Sequence, residues 1–233
     1  MDSMFDILMG LPLFRGVSHE RMSKTVGDTK LHFLKYLPGE TIFQAGQMCS
    51  SVAFIISGTV RIHITNPDGR FSVSQSLMAQ DVIAPDFLFG KITNYPGDVS
   101  AVDTVSILLI SKTDYIKILH SDNVFLFNYL NLLSMNAQKA VEGILAVSTG
   151  DIAERIAFWI SALTQPRSFD IRLECKQRDL VGLFGVQRSA MRAALDELKD
   201  KGIIDFSLYG IDVKDRRALL GLLHNHAEAS DEE

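Results

Sequence analysis

Residues 176–198 read KQRDLVGLFGVQRSAMRAALDEL, and this stretch decides how the C-terminal third of the chain folds. Leu180 and Phe184 stand four apart. Met191, Leu195 and Leu198 follow at spacings of four and three, the repeat of one helix face. Gly185 lies between the two sets, and glycine takes the left-handed conformation that a sharp inter-helix turn needs. With Val186, these five apolar side chains predict the shared core of two helices meeting at a corner. Gln187, Arg188, Ser189 and Arg192 open the second helix and are polar, so they are expected to project outward. A helix entering the DNA major groove leads with this end, and an arginine there can hold guanine through two hydrogen bonds.

Working outward, Lys199-Asp200-Lys201-Gly202 ends the second helix. Ile203–Phe206 and Gly210–Val213 then read as two strands around Ser207-Leu208-Tyr209, a hairpin wing. Upstream, Asp151 to about Leu163 is an amphipathic helix holding the only tryptophan, Trp159, and Asp170–Glu174 alternates like a short strand. A two-helix corner alone is mimicked by many proteins; a wing directly after it makes the pattern specific. The expected double-stranded DNA surface is Lys176, Gln177, Gln187, Arg188, Ser189, Arg192 and Tyr209. The competing reading is a ligand-binding regulatory module that acts through protein partners without touching DNA.

Before this unit lies a helical segment from about Asn123 to Ser148 with no proline and a single glycine, Gly143. Leu126, Leu130, Leu133, Ala137, Ala140, Ile144 and Val147 alternate spacings of 4 and 3 for three heptads. A second stripe contains Phe125, Tyr129, Leu132 and Val141. A helix with two apolar faces must bury both, so one face is expected on its own domain and the heptad seam on a partner helix in a homodimer. The alternative is a core helix of a monomer.

From Leu31 to about Ser111 the grain changes to short β-branched runs such as Val52–Ile56, Thr59–Ile64 and Val105–Ile110. Pro38-Gly39, Gly46, Ser57-Gly58, Pro67-Asp68-Gly69 and Pro96-Gly97 punctuate them. Many short strands separated by turn signals indicate a β-sandwich or barrel. Phe5 to about Val26 reads as short helices, one capped by Ser18.

The net charge of −5 hides an uneven distribution. Residues 1–149 carry −2, residues 150–222 carry +1, and Glu228, Asp231, Glu232 and Glu233 give the tail −4. A near-neutral domain can still hold phosphates if its bases cluster on one face. No apolar run reaches the roughly 18 residues of a membrane span, and the N-terminus lacks a signal-peptide pattern, so the chain reads as cytoplasmic. Cys49 and Cys175 form no metal-ligand or CxxC spacing and read as ordinary thiols. No phosphate loop, nucleophile elbow or metal cluster stands out, so no catalytic residue, metal or enzyme activity is expected.

In order, these motifs resemble the CRP/FNR family of regulators, the cyclic-AMP receptor protein and fumarate-nitrate regulator type, from about Leu13 to Leu220. Leu37–Gly46 resembles its Pro-Gly-Glu turn, Ile55–Arg61 the next strand pair, Asp68-Gly69-Arg70 its hairpin turn, and Gly185–Arg188 with Leu195–Ile204 its recognition helix and wing. The resemblance implies an α+β chain. Residues 1–120 would form a double-stranded β-roll sensor, a cupin-like jelly roll with N-terminal helices. Residues 121–148 would be the dimerisation helix, 149–223 the winged helix-turn-helix, and 224–233 a disordered acidic tail. It also implies a palindromic operator, RNA polymerase as partner of an activator, and a small-molecule effector.

Where family members hold a cyclic nucleotide, a Gly-Glu pair binds ribose and an Arg-(Ser/Thr)-Ala triplet neutralises the phosphate. Here those places read Ala84-Pro85 and Val99-Ser100-Ala101. A buried phosphodiester without its arginine is uncompensated, so cyclic AMP is not expected to bind. Ala84, Pro85, Val99, Ser100 and Asn136 mark the candidate effector pocket. No N-terminal cysteine cluster exists for iron and sulfur, and His63 on a strand is a poor haem ligand, so no cofactor is expected. Arg188 matches the family's first base-reading arginine. Ser189 stands where glutamate is common, and Arg192 falls one residue before the second arginine. That is about 100° of helix, which aims Arg192 at a phosphate.

Overall fold

The computed structural model describes residues 4–27, 29–146 and 150–223, and Val147 and the acidic tail lie outside them. Two compact units form. One comprises Met1–Ile62 with Leu77–Asn136, and the other His63–Ser76 with Ala137–Glu233.

The first unit opens with α1 (Met4–Met9) and α2 (His19–Gly27). Strands β1 (Leu31–Tyr36), β2 (Thr41–Phe43), β3 (Ser51–Ser57) and β4 (Thr59–Thr65) follow, then β5 (Phe71–Met78), β6 (Val82–Ile83), β7 (Asp98–Ala101) and β8 (Val105–Ser111). One antiparallel sheet runs β1-β8-β3-β6, with Phe33 opposite Leu108 and Ala53 opposite both Leu109 and Ile83. β2 pairs with β7, setting Thr41 opposite Ser100 and Phe43 opposite Val99. This is the β-roll that the family resemblance implied, built from short strands of the kind the turn signals marked. At its tightest turn Gly58 adopts φ +83°, and a Cβ there would lie 2.4 Å from the Thr104 carbonyl, so only glycine fits.

Helices α3 (Lys112–Ser121) and α4 (Asn123–Leu145) close this unit. Ser111 caps α3 by accepting from the Asp114 N–H at 3.1 Å. α4 runs to Leu145, and the end expected at Ser148 lies outside the described residues. Its inner stripe packs as expected at Phe125, which meets Phe14 edge-on at 5.7 Å, and at Tyr129, which meets Tyr115 at 5.2 Å. Fully burying such an aromatic ring contributes about 2–3 kcal/mol. Val141, assigned to that inner stripe from sequence, is exposed. The heptad seam is outward: Leu126, Leu130, Ala137, Ala140 and Ile144 are exposed and Leu133 is half-buried.

The second unit contains α5 (Ile152–Leu163), β9 (Phe169–Cys175), α6 (Gln177–Phe184), α7 (Arg188–Asp200), β10 (Ile204–Phe206), β11 (Gly210–Val213) and α8 (Arg216–Gly221). Asp151 caps α5 through the Ala153 N–H. Ile156, Trp159 and Ile160 of α5 pack with Leu180, Phe184, Met191, Leu195 and Leu198, the core that the spacing foretold; Val186 is only partly buried. The unit boundary differs from the segments drawn on the sequence. Residues 63–76, including most of β5, join the winged helix-turn-helix and add a strand to its sheet, giving β10-β11-β9-β5. Val73 sits opposite Leu173, and Phe71 opposite Cys175 with its ring 5.0 Å from Trp159. The long helix is likewise divided, at Asn136.

Candidate nucleic-acid interface

Two turns position the outward residues of the second unit. Gly185 ends α6 in the left-handed region at φ 63°, ψ 31°, with its N–H on the Val181 carbonyl. The chain then re-enters helix at Arg188. Gln187 occupies the N-cap without a side-chain cap bond, so the first N–H groups of α7 keep no side-chain partner there.

Gln187, Arg188 and Ser189 are all exposed on the first turn. Among the described residues Arg188 makes no hydrogen bond or ion pair, so its five donors stay free for a partner. Arg192 is more constrained. Its Nε donates to the Asp196 carboxylate at 2.9 Å, and its guanidinium carbon lies 4.9 Å from the centre of the Phe206 ring. Lys199 approaches the same ring at 5.7 Å and donates to Asp205 at 2.7 Å. That bond holds the Asp205 carboxyl below the usual carboxylate range.

Lys176 is the exposed N-cap of α6. Gln177 is committed to the wing: its Nε2 donates to the Ser207 carbonyl at 3.1 Å and its N–H to Leu208 at 3.2 Å. Tyr209 is 68% exposed at the wing tip, and its carbonyl accepts from the Cys175 N–H at 2.8 Å. Five of the seven predicted residues thus present open polar groups, while Arg192 and Gln177 are tethered. Sequence reasoning missed Asp196 and Phe206. The 192/196 spacing was available, but the Phe206 contact exists only once the wing folds back.

Beside β11, β9 and β5 a cleft of about 550 Å³ is lined by His63, Arg70, Arg172, Glu174, Lys176 and Tyr209, among others. Arg172 donates twice to Asp212, at 2.6 and 3.2 Å, and Ser72 donates to Glu174 at 3.1 Å. His63 lies between Ser74, at 2.8 Å, and Thr65, at 3.1 Å. Both cysteines are buried free thiols, and burial pushes Cys175 up to about 12.

The candidate effector residues lie in the first unit. Ala84 adopts φ 45°, ψ 50°, a left-handed conformation that costs a non-glycine residue about 1–2 kcal/mol, and leads into a 3₁₀ turn, Pro85–Phe87. Tyr129 donates its hydroxyl to the Pro85 carbonyl at 3.2 Å. Asn136 donates to both Asp86 carboxylate oxygens at 2.9 Å, while its own side-chain carbonyl is buried without a partner. Ala84, Pro85 and Asn136 therefore meet around one turn. Val99 is 2% exposed, its side chain consumed by the β-roll interior. Ser100 is half-buried beside it on β7. Asp86 follows Pro85 in the chain, but its pairing with Asn136, fifty residues on, comes only with the fold.

Residues 33–122 match the family model of the cyclic nucleotide-binding domain, and residues 132–222 that of the Crp-like helix-turn-helix domain. The Cyclic AMP receptor protein of Thermus thermophilus is 21% identical over 220 residues, spanning 91% of this chain and 96% of that protein. The cAMP-activated global transcriptional regulator Vfr of Pseudomonas aeruginosa is 22% identical over 183 residues, or 74% and 85%. A solved structure described as a CRP/FNR-family transcriptional regulator from Eubacterium rectale superposes with a TM-score of 0.50 at 17% identity, covering 91% of this chain and 98% of that one.

Proposed function

The chain belongs to the CRP/FNR family of DNA-binding transcription regulators, and on that premise we propose that it is a homodimer that reads a palindromic operator under a signal other than cyclic AMP. Arg188 carries the reading: it is exposed on the first turn of α7 and has no partner among the described residues, at the end of the helix by which base edges are reached. Gln187 and Ser189 flank it, and Lys176 and Tyr209 offer contacts to the backbone phosphates on either side. Gln177 supports the wing from which Tyr209 projects.

Homodimerisation is supported by the outward seam of α4, where Leu126, Leu130, Ala137, Ala140 and Ile144 leave an apolar stripe in water. Pairing two such stripes removes that surface and sets two recognition helices about one DNA turn apart. The sensor residues argue against cyclic AMP. Val99 carries no charge, and the carboxylate of Asp86 follows Pro85 where a cyclic phosphate would need a cation. We assign the turn around Ala84, Pro85 and Asn136, with β7 residues Val99 and Ser100, to a small-molecule effector of different charge. No metal, haem or iron–sulfur cofactor takes part, and RNA polymerase is the further partner if the regulator activates. No helix among the described residues is long and apolar enough to cross a membrane.

Selection of bound duplexes from a random pool, followed by anisotropy titration, tests this directly. Expected are a two-fold-symmetric consensus, two protomers per duplex, and affinity that falls steeply with salt. Capture of no duplex, with a stable complex to a protein instead, favours the regulatory-module alternative.

A further inference from the structure

On one face of α7 run Arg188, Arg192, Asp196 and Lys199, at spacings of four, four and three. This face borders the wing, because Phe206 of β10 lies under both Arg192 and Lys199. The cations differ in what holds them. Lys199 is paired to Asp205, Arg188 has no partner among the described residues, and Arg192 is gripped twice, by Asp196 through Nε and by the Phe206 ring from below. Gripping an arginine by Nε leaves its two Nη groups to face outward as a fixed fork.

We propose that Asp196 and Phe206 are positioning residues for DNA binding: they hold Arg192 at the wing edge of the recognition helix, where its Nη fork takes one backbone phosphate and is kept off the bases. This rests on α7 being the recognition helix, as read above. The physical case is one of competing freedoms. A free arginine spreads over many rotamers and reaches phosphates and guanine edges alike. An exposed i,i+4 ion pair and an exposed cation–π contact are each weak. Acting on the same guanidinium, they bias the side chain toward one set of rotamers, on the side of the C-terminal half of α7 and the wing. Base reading is thereby left to Arg188, and Arg192 adds affinity without adding sequence information.

The test is a double-mutant cycle on the full chain, read by anisotropy against the selected operator and its single-base variants across a salt series. Arg192→Ala is expected to weaken all duplexes by the same factor, about five- to tenfold. It should also reduce the slope of log affinity against log salt by about 0.9 per protomer, while the ranking of base variants stays unchanged. Phe206→Leu, which changes no charge, should weaken binding in the unmodified background but have no further effect when Arg192 is already alanine. Asp196→Asn should show the same dependence on Arg192, and Phe206→Tyr should restore binding by keeping the ring. Thermal midpoints of the variants report any general loss of folding separately.

Additive effects of Arg192→Ala and Phe206→Leu overturn the positioning role. So does a change in base ranking confined to one position on Arg192→Ala, which would make Arg192 a base reader, and so does an unchanged affinity and slope. Absence of salt-sensitive duplex binding by the unmodified chain overturns the proposed function and this role together, whereas the other outcomes strike this role alone.

Discussion

Arg188 and Lys176 are both exposed cations of the reader, yet they sit differently on it, and their variants should separate. Arg188 leads α7, where the proposed complex would bring base edges, so Arg188→Ala should flatten discrimination at one base position in each half-site, at a cost of about 1–3 kcal/mol. Lys176 caps α6, where the proposed complex would bring the DNA backbone, so Lys176→Ala should weaken all sequences alike and lower the salt slope by about 0.9 per protomer. A ranked set of operator variants measured over two salt concentrations distinguishes the two. The thiols give a second residue-scale prediction. Burial raises both, and Cys175 stands at about 12, so at pH 8 only about one Cys175 in ten thousand is thiolate. Alkylation followed by mass spectrometry should find both cysteines unmodified in the native protein and both modified in denaturant; rapid native labelling would contradict their burial. Arg188 was legible in the sequence because the turn glycine and the apolar spacing fix its register. The tethering of Arg192 and Gln177 was not, because Phe206 and Ser207 come from a wing that the chain reaches only after folding.

At the scale of elements, period and punctuation carried the identification of strands and helices but not of their neighbours. The Ser57-Gly58 signal correctly marked a turn, and its geometry makes a sharp prediction. In Gly58→Ala the new Cβ would meet the Thr104 carbonyl and the backbone would keep φ +83°, so stability should fall by at least about 2 kcal/mol, read as a lower thermal midpoint. An unchanged midpoint would mean that this turn opens without cost. β5 shows where local pattern stops. Phe71 and Val73 alternate with Ser72 and Ser74, which declares one apolar face, but nothing in an alternating run says which strand edge it joins. Its pairing with β9 is a long-range match of two such patterns, Val73 to Leu173 and Phe71 to Cys175, which no local run announces. α4 shows the converse. Its two stripes were visible at once, and Phe125 and Tyr129 bury as foreseen. The helix closes near Leu145, ahead of Gly150.

For the molecule as a whole, a net charge of −5 opposes approach to DNA. In the proposed complex, affinity would come from a few well-placed cations and from two readers on one duplex. That would tie the α4 seam to the proposed DNA function. It also sets what a signal has to do: favour one arrangement of the two readers over another by a few kcal/mol. The family frame was legible from motif order alone, since the wing follows the helix-turn-helix and the β-roll precedes the long helix. Ala84-Pro85 and Val99, where the resemblance implies charged ligands of a cyclic nucleotide, were also readable from the sequence as uncharged positions. The partner of Asp86 at this turn was not, because Asn136 of α4 reaches it only in the folded chain. The decisive measurement is anisotropy of the selected operator duplex titrated with the full chain over a salt series, with and without millimolar cyclic AMP. Expected is a two-protomer complex whose affinity falls steeply with salt and is the same in both conditions. Binding that appears only with cyclic AMP, or a complex indifferent to salt and sequence, would contradict it.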